Sequence, residues 1–62
     1  MGEWVSACAT QSCIEACAED DDMVRVRDPD GDEITRLGLF VTRDKFRTFV
    51  EGVKNGAFDA LL

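Results

Sequence analysis

Hydrophobic positions along the chain change period once. Up to Val41 they alternate with polar ones, and beyond Thr42 they recur every three to four positions. In Met23-Val24-Arg25-Val26-Arg27 the valines face one side and the arginines the other, which predicts a strand with one apolar and one polar face. Cys13-Ile14-Glu15-Ala16-Cys17-Ala18 puts Ile14, Ala16 and Ala18 on one side and reads as a second strand. A helix is its rival, because Ala is abundant and Cys13 and Cys17 sit four apart. The run 33–41 reads as a third strand, with Leu37, Leu39 and Val41 directed inward and Gly38 marking a bulge or a close backbone approach.

The turns between these runs have a mechanism. Glu19-Asp20-Asp21-Asp22 disfavours a strand, and Asp bonds its own backbone in turns. In Asp28-Pro29-Asp30-Gly31, Pro presets φ and Gly accepts positive φ after it. A helix over 43–54 follows. Thr42 is its N-cap and Asp44 stands in the first turn. Phe46, Phe49, Val50 and Val53 form one stripe, Lys54 sits in the last turn, and Asn55-Gly56 ends the helix. Phe58 falls just beyond and can fold back.

The fold class is therefore α+β, a β-β-β-α domain: an irregular segment over 1–12, a three-stranded antiparallel sheet over 13–41, a C-terminal helix over 43–54 covering one face, and a tail over 55–62. The expected core is Trp4, Ile14, Val24, Val26, Leu39, Val41, Phe46, Phe49, Val50, Val53 and Phe58. Trp4 is the single Trp and is placed at a core edge. Few large apolar residues serve the second face of the sheet, so it is either wet or covered by another chain.

Length and charge sharpen this picture. A chain of 62 residues is one small domain of marginal stability, for which a partner chain is a natural support. No apolar run approaches the ~20 residues that span a bilayer, and no basic segment precedes a greasy one. A cytoplasmic product with no membrane association is expected. Net charge is −6, and nine acids between Glu15 and Glu33 face only Arg25 and Arg27, while 34–62 is mildly basic. An acidic chain is repelled by phosphate, so no direct nucleic-acid contact is expected. Patches of opposite sign suit a protein partner or a second copy of the chain, although loop acids also serve plain solubility.

Candidate chemistry is sparse. There is no His and no Tyr, so Ser6 and Ser12 have no general base of the usual kind. No Gly-rich phosphate loop exists, and the paired carboxylates lie in turns. The expectation is no enzyme and no cofactor. Asp28, Asp30 and Asp32 resemble the start of a calcium loop, but Pro29 and Gly31 fall at the wrong places, and a solvated turn is expected. Cys8, Cys13 and Cys17 are an alternative metal or redox set. Zinc would need a carboxylate such as Glu15 or Glu19 as fourth ligand. An odd cysteine count argues against a disulfide framework. On one strand Cys13 and Cys17 would lie about 13 Å apart, beyond disulfide reach. Inert thiols or small buried hydrophobes are expected.

Trp4-Val5-Ser6, Cys13-Ile14-Glu15-Ala16, Val24-Arg25-Val26-Arg27-Asp28 and Pro29-Asp30-Gly31 form a recognisable series. Leu39, Val41 and Thr42 continue it, followed by Phe46, Phe49, Gly52-Val53-Lys54, Gly56 and Phe58-Asp59. Together they resemble the actinobacterial domain of unknown function 397 family, which includes the BldB-type small regulatory proteins. The resemblance covers nearly the whole chain and is strongest at V-x-V-R-D and F-x-x-G-V-K-x-G-x-F-D. It departs at Phe46, where the family pattern has Trp, and at Arg43-Asp44-Lys45, where it has Pro-Ala-Glu. The resemblance implies a small acidic companion of a helix-turn-helix transcription regulator, in a toxin–antitoxin-like arrangement, acting through protein contacts and in some members self-associating. On this reading the contacts are Arg25 and Arg27 on the open sheet face and Arg43 and Arg47 on the helix flank.

Overall fold

The computed structural model describes residues 3–9 and 13–62. Four antiparallel strands follow one another across a single sheet: β1 (Val5–Ser6), β2 (Glu15–Ala18), β3 (Met23–Arg27) and β4 (Leu39–Thr42). Helix α1 (Glu33–Leu37) lies between β3 and β4, and helix α2 (Arg43–Lys54) follows β4 without a break. A 3-10 turn, Asp59–Leu61, comes last. None of these helices is long and apolar enough to cross a membrane.

The α+β class, the meander and the C-terminal helix match the reading of the sequence; the strand count does not. One additional strand is β1, a two-residue pairing inside the stretch expected to be irregular. The rival helix over 13–18 is settled in favour of the strand β2.

The second correction is the run 33–41, which is half helix and half strand. Asp32 caps α1: its extended backbone leaves the side chain free to accept the Thr35 N–H at 2.9 Å. Glu33 in the first turn and Arg36 in the last suit the helix dipole. Gly38 ends the helix with φ 91°, and its N–H returns to the Ile34 carbonyl. A Cβ at Gly38 would run into the Val26 carbonyl oxygen, so only glycine fits. Capping chemistry thus overrides the apparent alternation, and Leu37 ends on α1, exposed to solvent.

Register divides the sheet cleanly. Val5 pairs with Ala16, Ala16 with Val26, Ala18 with Val24, Val24 with Val41 and Val26 with Leu39, so all these share one face. Ser6, Glu15, Cys17, Arg25, Arg27 and Phe40 share the other. The β2–β3 turn forms as the acids predict: Asp20 Oδ1 accepts the N–H groups of Asp22 at 2.8 Å and Met23 at 2.9 Å.

Helix α2 has the expected bounds and cap, with Thr42 Oγ1 accepting the Lys45 N–H at 3.2 Å. Arg43 ties its start to the β2–β3 turn. The guanidinium donates to the carbonyls of Asp21 at 2.8 Å and Asp20 at 2.9 Å, and its backbone N–H to Asp22 at 2.7 Å. At the other end Phe58 does fold back, its ring 5.2 Å from that of Phe49.

The core is smaller than expected. Among the described residues only Cys17 and Val24 are buried, each 6% exposed. Val26, Val41, Phe46 and Val50 are half-buried, whereas Ile14, Leu39, Phe49, Val53 and Phe58 remain exposed. The reason is geometric. α2 packs over β3 and β4, and one helix of about 10 Å diameter covers only two strands spaced about 4.8 Å apart. Trp4, half-buried, lies on the opposite face from Val24 and Val26, against Arg25 and Arg27.

Candidate functional site: an apolar groove beside the C-terminal helix

Because α2 covers the β3–β4 side, the same face over β1 and β2 stays open. It is lined by Val5 and Ile14 on the outer side, by Ala16 and Ala18 of β2 with Val24 and Val26 of β3 along the sheet, and by Phe46 and Phe49 of α2. The groove has a volume of about 560 Å³. Val5 is 71% exposed and Ile14 62%. Solitary exposed apolar residues are ordinary, but a contiguous open face marks a binding surface. The signal for it was present in the sequence, since Ile14, Ala16 and Ala18 alternate inward with too little bulk to close a core. What the sequence did not show was that α2 would leave them uncovered.

Two of the expected contact residues line this groove. Arg43 and Arg47 stand one helical turn apart on the flank of α2 that faces it. Arg43 spends its donors on the carbonyls of the β2–β3 turn. Arg47 forms an ion pair with Asp44 at 2.8 Å, both side chains being largely exposed. Such a pair contributes little and exchanges readily.

Arg25 and Arg27 lie on the other face, and both guanidiniums are engaged within the chain. Arg27 donates from Nε and Nη2 to Glu15 Oε1, each at 3.2 Å, and lies 3.7 Å from the centroid of the Trp4 ring. Arg25 donates from Nε to the Leu37 carbonyl at 2.6 Å and sits between Trp4 and Phe40, 5.3 and 5.4 Å from their rings. This face is thus covered by Trp4 and by the end of α1. It is therefore not bare, and the two arginines pack within the chain between Trp4, Phe40 and Glu15.

The cysteines need a correction. Cys8 and Cys13 form a disulfide, with Cα atoms 5.9 Å apart. Extending the β1–β2 register beyond Ser6 opposite Glu15 brings Cys8 opposite Cys13, and the Ala7 N–H to the Ile14 carbonyl bond at 3.0 Å continues the ladder between them. Counting cysteines along one strand could not show this, because the pairing depends on β1. Cys17 keeps its thiol, buried as expected. Among the described residues no group of three His, Cys, Asp or Glu side chains is placed to hold a metal ion. Ser12 lies outside the described residues.

The acids 28–32 act on the backbone. Asp28 accepts the Asp30 N–H at 3.0 Å, and Asp32 caps α1. The bonds from the Thr35 backbone and hydroxyl hold the Asp32 carboxyl below the usual aspartate range. Compared with protein-family models, with curated proteins and with solved structures, the chain matches none.

Proposed function

We propose that the chain is a small acidic protein-binding regulatory module without catalysis of its own, the companion of a helix-turn-helix DNA-binding regulator. The observation that carries the reading is the open apolar groove between α2 and the β1–β2 half of the sheet. Its lining is mostly apolar, with Arg43 and Arg47 on the α2 side, which suits a polypeptide better than a reacting substrate. The acidic surface, at net −6, points away from direct DNA contact. The identity of the partner class rests on the resemblance of the strand and helix motifs to the small regulatory family, and a cytoplasmic location goes with it.

Co-purification from the native host with mass spectrometry identifies the regulator. Its operator affinity is then measured with and without added chain. The reading predicts a shift of several-fold that Ile14→Asp abolishes, Ile14 being exposed and so replaceable without unfolding the domain. Unchanged operator affinity at saturating chain would sink it. So would a shift of operator DNA by the chain alone at physiological salt.

A cysteine-based redox response is the second reading, favoured by the Cys8–Cys13 bond. In a reducing compartment such a bond persists mainly as a sensor. If the thiols of purified protein from unstressed and oxidant-treated cells titrate alike, this reading fails.

A further inference from the structure

We propose that the Cys8–Cys13 bond is a reversible redox latch, which a small thiol opens to release β1 and Trp4 together from a sheet that stays folded. The proposal rests on the redox reading above and names its sensor pair and the element that moves.

Position comes first. β1 is an edge strand, joined to β2 by Val5 opposite Ala16 and Ser6 opposite Glu15. The Ala7 N–H adds a bond to the Ile14 carbonyl at 3.0 Å, and the disulfide closes the ladder just beyond it. So short a pairing does not hold a strand in water. On the other side of β1, Trp4 stacks on the Arg27 guanidinium at 3.7 Å, a contact worth little where water reaches it. β2, β3 and β4 are different. They pair over four positions at each step and contain the buried residues Cys17 and Val24. The disulfide thus holds a segment that lies outside the core. Closing so short a loop shifts the opening equilibrium of that segment about 30-fold. Opening it bares the outer edge of β2 and removes Trp4 from Arg25 and Arg27.

Access comes second. Cys8 and Cys13 are only half-buried. Cys8 lines an open cleft of about 520 Å³ with Trp4, Ser6, Glu15 and Arg27. A disulfide within reach of solvent exchanges with thiols more readily than an enclosed one. Cys17, the third cysteine of the chain, takes no part. It is 6% exposed, and four positions of extended chain put it about 13 Å from Cys13, beyond disulfide reach. The electrons therefore come from an external thiol such as glutathione. Its thiolate attacks Cys8 Sγ, and the Cys13 sulfur leaves as a thiolate that takes up a proton. A second external thiolate attacks the reductant's sulfur in the mixed disulfide, and Cys8 leaves as a thiolate and is protonated. Two cysteine thiols and one oxidised reductant result, a two-electron exchange that oxidised glutathione reverses.

The test equilibrates the full chain in millimolar glutathione over a range of reduced-to-oxidised ratios. Emission of Trp4, amide exchange, and mass after thiol alkylation are read at each ratio. The expected result is one transition in which Cys8 and Cys13 become alkylated together and Trp4 shifts to the red. Protection of the Ala7 amide falls about 30-fold in the same transition, while Cys17 stays unlabelled and the β3 amides keep their protection. Returning to the oxidising ratio restores every signal. The double variant Cys8→Ser with Cys13→Ser should show the released signals at all ratios, and Cys17→Ala should keep the transition. A bond that stays closed at the most reducing ratio would overturn the proposal. So would loss of the circular dichroism spectrum on reduction, or reduction that leaves Trp4 and Ala7 unchanged. If cellular thiols respond to oxidant while Trp4 and Ala7 do not move, the latch falls and the redox reading stands. If cellular thiols titrate alike and the bond does not exchange, both fall.

Discussion

Arg27 stacks on Trp4 at 3.7 Å while holding Glu15 through two hydrogen bonds. Those three residues come from the segment before β1, from β2 and from β3, so one guanidinium joins the N-terminal segment to the sheet. A planar fork is needed for this, because it must stack and donate twice at once. Arg27→Lys keeps the charge and loses both features. It should cost about 1 kcal/mol and lower Tm by about 4–8 °C, with a red shift in the emission of Trp4. An unchanged emission maximum would show that the stack does not persist in solution.

The Cys8–Cys13 bond reinforces the same segment. β1 has only two paired residues, too few to hold itself against the sheet. The bond closes a short loop, and the loop-entropy relation assigns such a loop about 2 kcal/mol. Dithiothreitol, or Cys8→Ser, should therefore release β1, raise amide exchange at Ala7, and red-shift Trp4, while β2, β3 and β4 remain paired. Full protection of Ala7 after reduction would contradict this account.

The core makes an ordering prediction that differs from the one helix periodicity gives. Phe49 is the centre of the apolar stripe, and a closed domain would make it the costliest residue to truncate. In the structure it is half exposed, whereas Val24 is 6% exposed beneath α2. Val24→Ala should cost about 2 kcal/mol or more, and Phe49→Ala about 1–2 kcal/mol. Urea unfolding of the two variants gives the order directly. A Phe49→Ala loss well above that of Val24→Ala would mean that α2 closes over the sheet in solution.

This case also shows what the sequence carried. The β3 strand, the Asp20 turn, the Thr42 cap and the Asn55 end of α2 were all legible, because each is set by residues within a few positions of one another. The groove residues Ile14, Ala16 and Ala18 were legible as a face. Whether that face is covered depends on where α2 lies across the sheet, which no local pattern specifies. The Cys8–Cys13 pair and the Trp4 stack depend on the register of β1, whose two residues leave almost no pattern. Arg25 and Arg27 were correctly assigned to the polar face, but their partners Leu37, Trp4 and Glu15 are distant in sequence.

The same lesson gives a last prediction at α1, where a cap overruled an apparent strand. The Asp32 carboxylate accepts from the Thr35 N–H at 2.9 Å and its hydroxyl at 3.2 Å, and these bonds hold its pKa below the ordinary value. The sign follows from that depression. The cap is intact above the unfolded-state pKa of about 4, and its contribution is lost as pH falls through the lower folded-state value. The Thr35 amide shift should titrate with a midpoint below that of an ordinary aspartate, and Asp32→Asn should flatten the curve. Gly38→Ala tests the other end of the helix: φ 91° and the Val26 carbonyl leave no room for a Cβ, so it should cost at least about 1 kcal/mol. If Thr35 titrates at or above the ordinary aspartate midpoint, or if Gly38→Ala is neutral, the run 33–41 is not the capped helix and strand described above.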